Sequence, residues 1–354
     1  MSSADTATHG FNVTVQPSGR AFQAQAGETL LAAGIRSGVG LPYGCKDGAC
    51  GSCKCRKLEG TVAHGPHQSK ALSTEEEAAG YVLTCCAVPQ TDVVLESRQV
   101  TDESAFPIKK MPSRVTSLEK KSHDVMVVKL QLPANDALRY HAGQYVEFIL
   151  RDGARRSYSM ANAPHNGPGV ELHIRHMPGG KFTDHVFGAM KEKDILRVEG
   201  PYGSFFLRED SDKPLVLLAS GTGFAPIKAV IEQMQHKGIT RPATLYWGGR
   251  RPGDLYLDDW VQGMLAQMPN LAYVPVISNA LPDDNWAGRT GFVHKAVLED
   301  FPDLSGHQVY ACGAPIVVDS ARAEYAAQAG LPPDEFYADS FTTEADKHAD
   351  THAA

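Results

Sequence analysis

Positions 45 to 53 read Cys-Lys-Asp-Gly-Ala-Cys-Gly-Ser-Cys, a C-x4-C-x2-C run, and two more thiols stand much later at Cys85 and Cys86. Three cysteines so spaced, with a distant fourth, are the plant-type arrangement for holding a [2Fe–2S] cluster. A chain built around that group must converge four thiolates on two irons and let backbone N–H groups approach the sulfurs. Gly44, Gly48, Ala49 and Gly51 leave that room, and glycine also reaches positive φ. The competing reading is a redox-active or zinc-binding Cys50-x-x-Cys53 pair. Against it, a thioredoxin-type motif belongs in a βαβ unit, and the sequence has no second C-x-x-C to complete a zinc ribbon.

Seven cysteines are present. The odd number and the clustering argue against a disulfide framework and for a reducing compartment. Leu83-Thr84-Cys85 resembles the fourth-ligand segment of plant-type ferredoxins. That resemblance implies Cys45, Cys50, Cys53 and Cys85 as metal ligands, with Cys86 the alternative for the last. Cys55 and Cys86 then read as small buried hydrophobes.

With 354 residues, 42% hydrophobic and 21% charged, the composition is that of a globular chain of two or three domains. No run reaches the roughly 18 uncharged apolar residues of a membrane span, and Met1 to Gly10 lacks the pattern of a signal peptide. The expectation is a cytoplasmic protein with no membrane partner. A net charge of −7 gives no basic footprint for nucleic acid. It suits either a basic patch on a partner protein or plain solubility.

Phe11 to Val15 alternates, Pro17-Ser18-Gly19 is a turn, a short helix is expected from Glu28 to Arg36, and Ser73 with Glu76 forms a capping-box pattern. This ββα texture around a cysteine loop looks like the β-grasp ferredoxin fold, over 9–98. Residues 99–113 read as a linker, either mobile or rigid. From 114 to 210 many short strands suggest an antiparallel β-barrel. From 211 to 341 strands and helices alternate, as in a parallel α/β sheet. The tail, 342–354, reads as disordered.

The barrel section carries Arg156-Ser157-Tyr158-Ser159. The α/β section opens with an apolar strand and Gly221-Thr222-Gly223-Phe224-Ala225-Pro226, and holds Cys312-Gly313-Ala314-Pro315 after a late strand. Two glycines before a helix permit close approach of a diphosphate, although the third glycine of the Rossmann fingerprint is missing. In this order the motifs resemble the NAD(P)H-dependent iron–sulfur flavoprotein reductases of the ferredoxin-NADP reductase superfamily, over Phe11 to Phe341. More narrowly they resemble bacterial reductases serving ring-hydroxylating oxygenases, phenol hydroxylases and deoxysugar synthesis. Residues 43–54, 65–68 and 85–87 look most like the CDP-6-deoxy-3,4-glucoseen type.

The resemblance implies a β-grasp 2Fe-2S domain, an FAD-binding barrel and an NAD(P)-binding α/β domain. It implies FAD held by Arg156 at the pyrophosphate and Tyr158 at the isoalloxazine, within the Arg156-Ser157-Tyr158-Ser159 run. Ser159 would stand near flavin N5. His173, Ile174 and Arg175 would form the next flavin-lining strand, and Gly180, Lys181 and Thr183 a phosphate-holding helix start. Gly221, Thr222, Gly223 and Pro226 would take the nicotinamide dinucleotide. Cys312, with Gly313 and Pro315, would orient the nicotinamide, and Phe341 would cover the flavin face. Lys181 as a solvated charge, Cys312 as a buried structural thiol and Phe341 as a core-closing aromatic are the plain alternatives.

Arg250, in Gly248-Gly249-Arg250-Arg251, suits an NADP 2′-phosphate. An arginine at this place also resembles NADH-dependent oxygenase reductases, so the expected donor is NADH, with NADPH as the alternative. A hydride carries two electrons and a [2Fe–2S] centre accepts one, so FAD is expected between them. The expected partner is an electron-acceptor protein, a deoxysugar dehydratase or an oxygenase component. A redox-sensing binding module is the alternative from another class.

Overall fold

A computed structural model describes residues 10–343 and 351–352. They divide into two units, one running to Pro107 and including residues from Thr342 onward, the other Ile108–Phe341.

In the first unit β1 (Phe11–Gln16) and β2 (Arg20–Ala24) form a hairpin, followed by α1 (Leu30–Arg36), β3 (Val39–Gly40), β4 (Lys54–Glu59), β5 (Val62–His64), β6 (His67–Gln68), α2 (Thr74–Ala78), β7 (Tyr81–Leu83), β8 (Ala87–Pro89), β9 (Val93–Glu96) and β10 (Thr101–Asp102). The main sheet has the order β2-β1-β9-β4-β7, with β1 and β9 parallel. This is the β-grasp arrangement. Val13 and Val15 alternate inward at 0% exposure, each burial contributing about 1.5–3 kcal/mol. The Ser73–Glu76 capping box is present in both directions.

The second unit opens with an antiparallel sheet of β11 (Lys109–Lys120), β12 (Val125–Gln131), β13 (Tyr145–Ile149), β14 (Arg155–Ser159), β15 (Gly169–Arg175) and β16 (Ile195–Tyr202), with α3 (Lys181–Gly188) between the last two. Its order is β14-β13-β16-β11-β12-β15, and a bridge between Met160 and Leu172 joins its two edges into a barrel. The α/β half follows as β17 (Leu215–Ser220), α4 (Phe224–Lys237), β18 (Ala243–Gly249), α5 (Asp258–Leu265), β19 (Leu271–Ile277), β20 (Arg289–Thr290), α6 (Val293–Asp300), β21 (Gln308–Gly313), α7 (Pro315–Ala329) and β22 (Phe336–Ser340). All its strands are parallel, in the order β20-β19-β18-β17-β21-β22. The order reverses between β17 and β21, and ligands of such sheets bind at the C-terminal ends of strands beside a reversal.

The stretch 99–113 differs from the expected linker. Thr101–Asp102 pairs with Val39–Gly40, and from Lys109 the chain already runs in β11 against β16. Met111, Ser113 and Val115 are all buried, a period-two pattern hidden by Lys109, Lys110 and Pro112. In the expected disordered tail, residues 344–350 and 353–354 lie outside the described residues, as does His9 at the start of the first domain. A last strand, β23 (Thr351–His352), pairs with β6.

Candidate functional site

The loop from Leu41 to Cys53 has no strand, and positive φ at Lys46, Gly48 and Gly51 makes it wrap rather than extend. A Cβ on Gly48 would lie 2.8 Å from Cys86 Sγ and 2.9 Å from the Cβ of His67, so this position has no space for a side chain. The thiols fall into two pairs. Cys53 and Cys85 stand 3.2 Å apart. Cys45 and Cys50 are neighbours, and the Cys45 backbone N–H donates to Cys50 Sγ at 3.4 Å. Two thiol pairs and an amide aimed at sulfur fit a binuclear centre with two soft ligands per iron. Cys86 Sγ is 3.6 Å from that of Cys85. Cys55 is buried in β4, where loss of solvent pushes its thiol up to about 12.

On the barrel, β14 presents Arg156 and Tyr158 half-buried, Ser157 exposed and Ser159 buried. Arg156 donates to the Arg155 carbonyl at 2.7 Å, and the Tyr158 ring lies 5.5 Å from that of Phe182. On β15 the side chains alternate: Ile174 enters the barrel core, leaving only its backbone for a ligand, while His173 and Arg175 face outward. Helix α3 begins at Gly180 with no side-chain cap, so its first N–H groups are open to an anion. A Cβ at Gly180 would crowd Thr183 Oγ1 and the Met177 carbonyl, both under 3 Å away. Lys181 pairs with Asp152 at 2.7 Å, and the Thr183 hydroxyl donates to the Met177 carbonyl at 2.8 Å. Beside this helix lies a cleft of about 910 Å³ whose lining includes Lys181, Phe182 and Arg151.

At the C-terminal ends of β17 and β21, Gly221 has φ +54 and Gly313 φ +125. A side chain on Gly223 would overlap the Cys312 carbonyl, and one on Gly313 that of Ser220. The turn is braced by Trp247, whose indole N–H donates to the Gly221 carbonyl at 3.0 Å and whose ring stacks 3.9 Å from Phe224. Thr222 and Pro226 are buried, Arg250 is exposed after β18, and Pro315 starts α7. Phe341 N–H donates to the Gly313 carbonyl at 2.8 Å. Cys312 is fully buried; burial and the Asp339 carboxylate hold its thiol well above the usual range. It is a neutral thiol there, unsuited to nucleophilic attack.

Sequence reasoning missed Asp339. It pairs in register with Cys312 across β21 and β22, and Ser159 Oγ donates to its Oδ2 at 2.8 Å. The next residue, Ser340, has a buried hydroxyl with no hydrogen-bond partner among the described residues. Ser159, Cys312 and Asp339 thus meet where the barrel faces the α/β sheet, and a buried unpartnered hydroxyl nearby suits a ligand that supplies its missing bond.

Family models match in the same order: a 2Fe-2S iron-sulfur cluster binding domain over residues 13–90, an oxidoreductase FAD-binding domain over 112–207 and an oxidoreductase NAD-binding domain over 217–323. The chain is 40% identical over 330 residues to the CDP-6-deoxy-L-threo-D-glycero-4-hexulose-3-dehydrase reductase of Yersinia pseudotuberculosis serotype I (strain IP32953), covering 93% of this chain and 98% of that one. This chain belongs to the iron–sulfur flavoprotein reductases. The reductase is also 35% identical to terephthalate 1,2-dioxygenase reductase component 2 of Comamonas sp, over 94% of this chain and 97% of that one. Among solved structures it resembles the Amycolatopsis reductase GcoB, with TM-score 0.77, 33% identity, and coverage of 94% of this chain and 99% of that one.

The reductase is an NAD(P)H-dependent oxidoreductase with three modules, for a [2Fe–2S] cluster, FAD and a nicotinamide dinucleotide. Among the described residues no helix is long and apolar enough to cross a membrane.

Proposed function

We propose that the reductase takes electrons from NADH and delivers them singly to a deoxysugar dehydrase partner. The observation that carries the internal route is the meeting of Ser159, Cys312 and Asp339 at the C-terminal edge of the α/β sheet. When bound, FAD converts two-electron delivery by a nicotinamide into the one-electron steps that a [2Fe–2S] centre accepts.

The chain's own residues supply binding and orientation. The α3 N-terminus and Arg156 hold the flavin diphosphate, and Tyr158 packs on the ring system. Ser159 would stand at the reacting edge with its hydroxyl proton committed to Asp339, which leaves its oxygen as an acceptor. Gly221 to Gly223 admit the dinucleotide diphosphate, with the Arg175 guanidinium beside the turn, 3.1 Å from where a Gly221 Cβ would stand. Cys312, neutral and buried, supports the nicotinamide without attacking it, and Phe341 closes the site against water. Cys45 with Cys50 and Cys53 with Cys85 are the cluster ligands.

NADH as donor follows the resemblance to NADH-dependent oxygenase reductases. Of the two arginines after β18, Arg251 is taken by Asp284 at 2.6 Å, which makes it a poor host for a 2′-phosphate, and exposed Arg250 is the one that could meet such a group. Seven free cysteines support a reducing, cytoplasmic setting.

The dehydrase as acceptor rests on the 40% identity to a dehydrase reductase. An oxygenase component is the second reading, favoured by the 35% identity to a dioxygenase reductase. The test is to mix the NADH-reduced protein with a purified dehydrase and with an oxygenase component and follow cluster reoxidation. Reoxidation by the dehydrase alone supports the first reading, and reoxidation by the oxygenase alone discards it.

A further inference from the structure

Lys228 lies on α4, one turn beyond the Gly221-Thr222-Gly223 turn, and is 5% exposed. Its ammonium group has three N–H donors, and three acceptors from three separate elements meet it. They are Glu232 Oε1 at 2.6 Å on the same helix, Glu171 Oε1 at 3.1 Å on β15, and the Ala161 carbonyl at 3.0 Å just past β14. The Trp260 ring of α5 lies 5.1 Å from the nitrogen.

Each carboxylate is itself held. Glu232 Oε2 accepts from Ala163 N–H at 2.8 Å and from the Asn166 side chain at 2.6 Å. Glu171 Oε1 stands 3.0 Å from His173 Nε2, and His173 Nδ1 stands 2.8 Å from the Tyr256 hydroxyl. Because a carboxylate only accepts, Nε2 carries the imidazole proton and Nδ1 accepts from Tyr256. The hydrogen bonds run without a break from Tyr256 through His173, Glu171 and Lys228 to Glu232, all at the face between barrel and α/β sheet.

This arrangement is expensive to bury, and the Lys228 ammonium, the His173 imidazole and both oxygens of Glu232 are hydrogen-bonded, with Glu171 Oε2 left to Lys129 at 3.8 Å; a buried charge so held favours one geometry. It also joins two reacting partners by short covalent paths. Ala161 is two residues from Ser159, and Lys228 is five residues from Gly223. We infer that Lys228 is a positioning residue: it clamps the dinucleotide turn at the head of α4 to the Ser159–Ala161 segment, and so sets the approach of the nicotinamide to the flavin. This inference rests on the flavin and nicotinamide sites proposed above. Apart from Arg175 of β15, the residues proposed to take the dinucleotide, Gly221 to Gly223, Pro226 and Arg250, belong to the α/β half, so loss of the clamp is expected to change the reacting geometry more than the grip on the donor.

The test uses the full-length holoenzyme and K228M, which keeps the stem and removes the donors. Flavin content, NADH dissociation constant and limiting rate of flavin reduction are measured by anaerobic stopped flow, with hydrogen exchange of residues 221–228. In K228M the limiting rate is expected to fall about 10- to 100-fold, the scale of a misplacement near 1 Å. The dissociation constant should stay within about threefold, since binding and orientation separate in this way. The long-wavelength nicotinamide–flavin charge-transfer absorbance should weaken, and amides 221–228 should exchange faster. E171Q, which preserves shape, should show the same split to a smaller degree, and provides the comparison if K228M does not fold. A lowered melting temperature with unchanged rate and charge-transfer band would overturn the clamp while leaving the flavin site standing. Wild-type protein that binds no flavin would overturn both together.

Discussion

Ser159 Oγ donates to Asp339 Oδ2 at 2.8 Å across 180 residues of sequence, and both side chains are more than nine-tenths buried. The bond fixes which way the serine hydroxyl points at the edge where β14 meets the α/β sheet. Hydrogen bonds to a charged group contribute about 1.5–3 kcal/mol. D339A is therefore expected to slow flavin reduction by NADH about 10- to 100-fold, read by anaerobic stopped flow. D339N keeps an acceptor for the serine and should lose less. Equal losses in the two variants would show that charge matters rather than the orientation of Ser159.

The two thiol pairs make a separate prediction. C53S or C85S should abolish the visible cluster absorbance and leave less than full iron and sulfide. C55S and C86S should retain both, because Cys55 is buried in β4 and Cys86 stands outside the paired set. Loss of iron in C86S with retention in C85S would exchange their roles.

His141 gives the pH dependence. Burial, aided by the Arg208 charge, lowers its imidazole from 6.5 to about 4, and its ring stacks 4.1 Å from Phe206. A folded value below the unfolded one means the neutral form is favoured by folding. Its stabilisation is full above about pH 6.5 and is lost as pH falls toward 4. H141F preserves a ring for the stack and removes the titration. Its melting temperature should fall less than that of the wild type between pH 6.5 and 4, by about 1–3 kcal/mol, or roughly 2–10 °C. Parallel curves would remove His141 from the acid response.

Donor choice can be shifted at Asp284. D284A frees the Arg251 guanidinium to meet a 2′-phosphate. The ratio of kcat/KM for NADPH over NADH should rise about tenfold, the worth of one charge-assisted contact. An unchanged ratio would show that the ion pair plays no part in donor selection.

What the sequence disclosed was local. The C-x4-C-x2-C loop, the Ser73–Glu76 cap and the strand-turn-helix around Gly221 are short-range patterns, and each appears in the fold where spacing put it. What it concealed was either masked or distant. Lys109, Lys110 and Pro112 disguised the inward alternation of Met111, Ser113 and Val115, so the start of β11 looked like linker. Asp339 offered no signal because its partner lies 180 residues away. Lys228 was not singled out by any motif, and only the packing of α4 against β15 shows it buried between two carboxylates. The resemblance put His173 and Ile174 in one flavin-lining motif, yet the pleat sends their side chains to opposite faces.

The most direct measurement is an anaerobic titration of freshly purified protein with NADH, followed by visible absorbance and electron paramagnetic resonance. A yellow-brown protein whose flavin band bleaches, followed by the signal of a reduced [2Fe–2S] centre, is the predicted result. A colourless protein with neither flavin nor iron, or a flavin that bleaches while the cluster stays oxidised, would contradict the route from nicotinamide through flavin to iron.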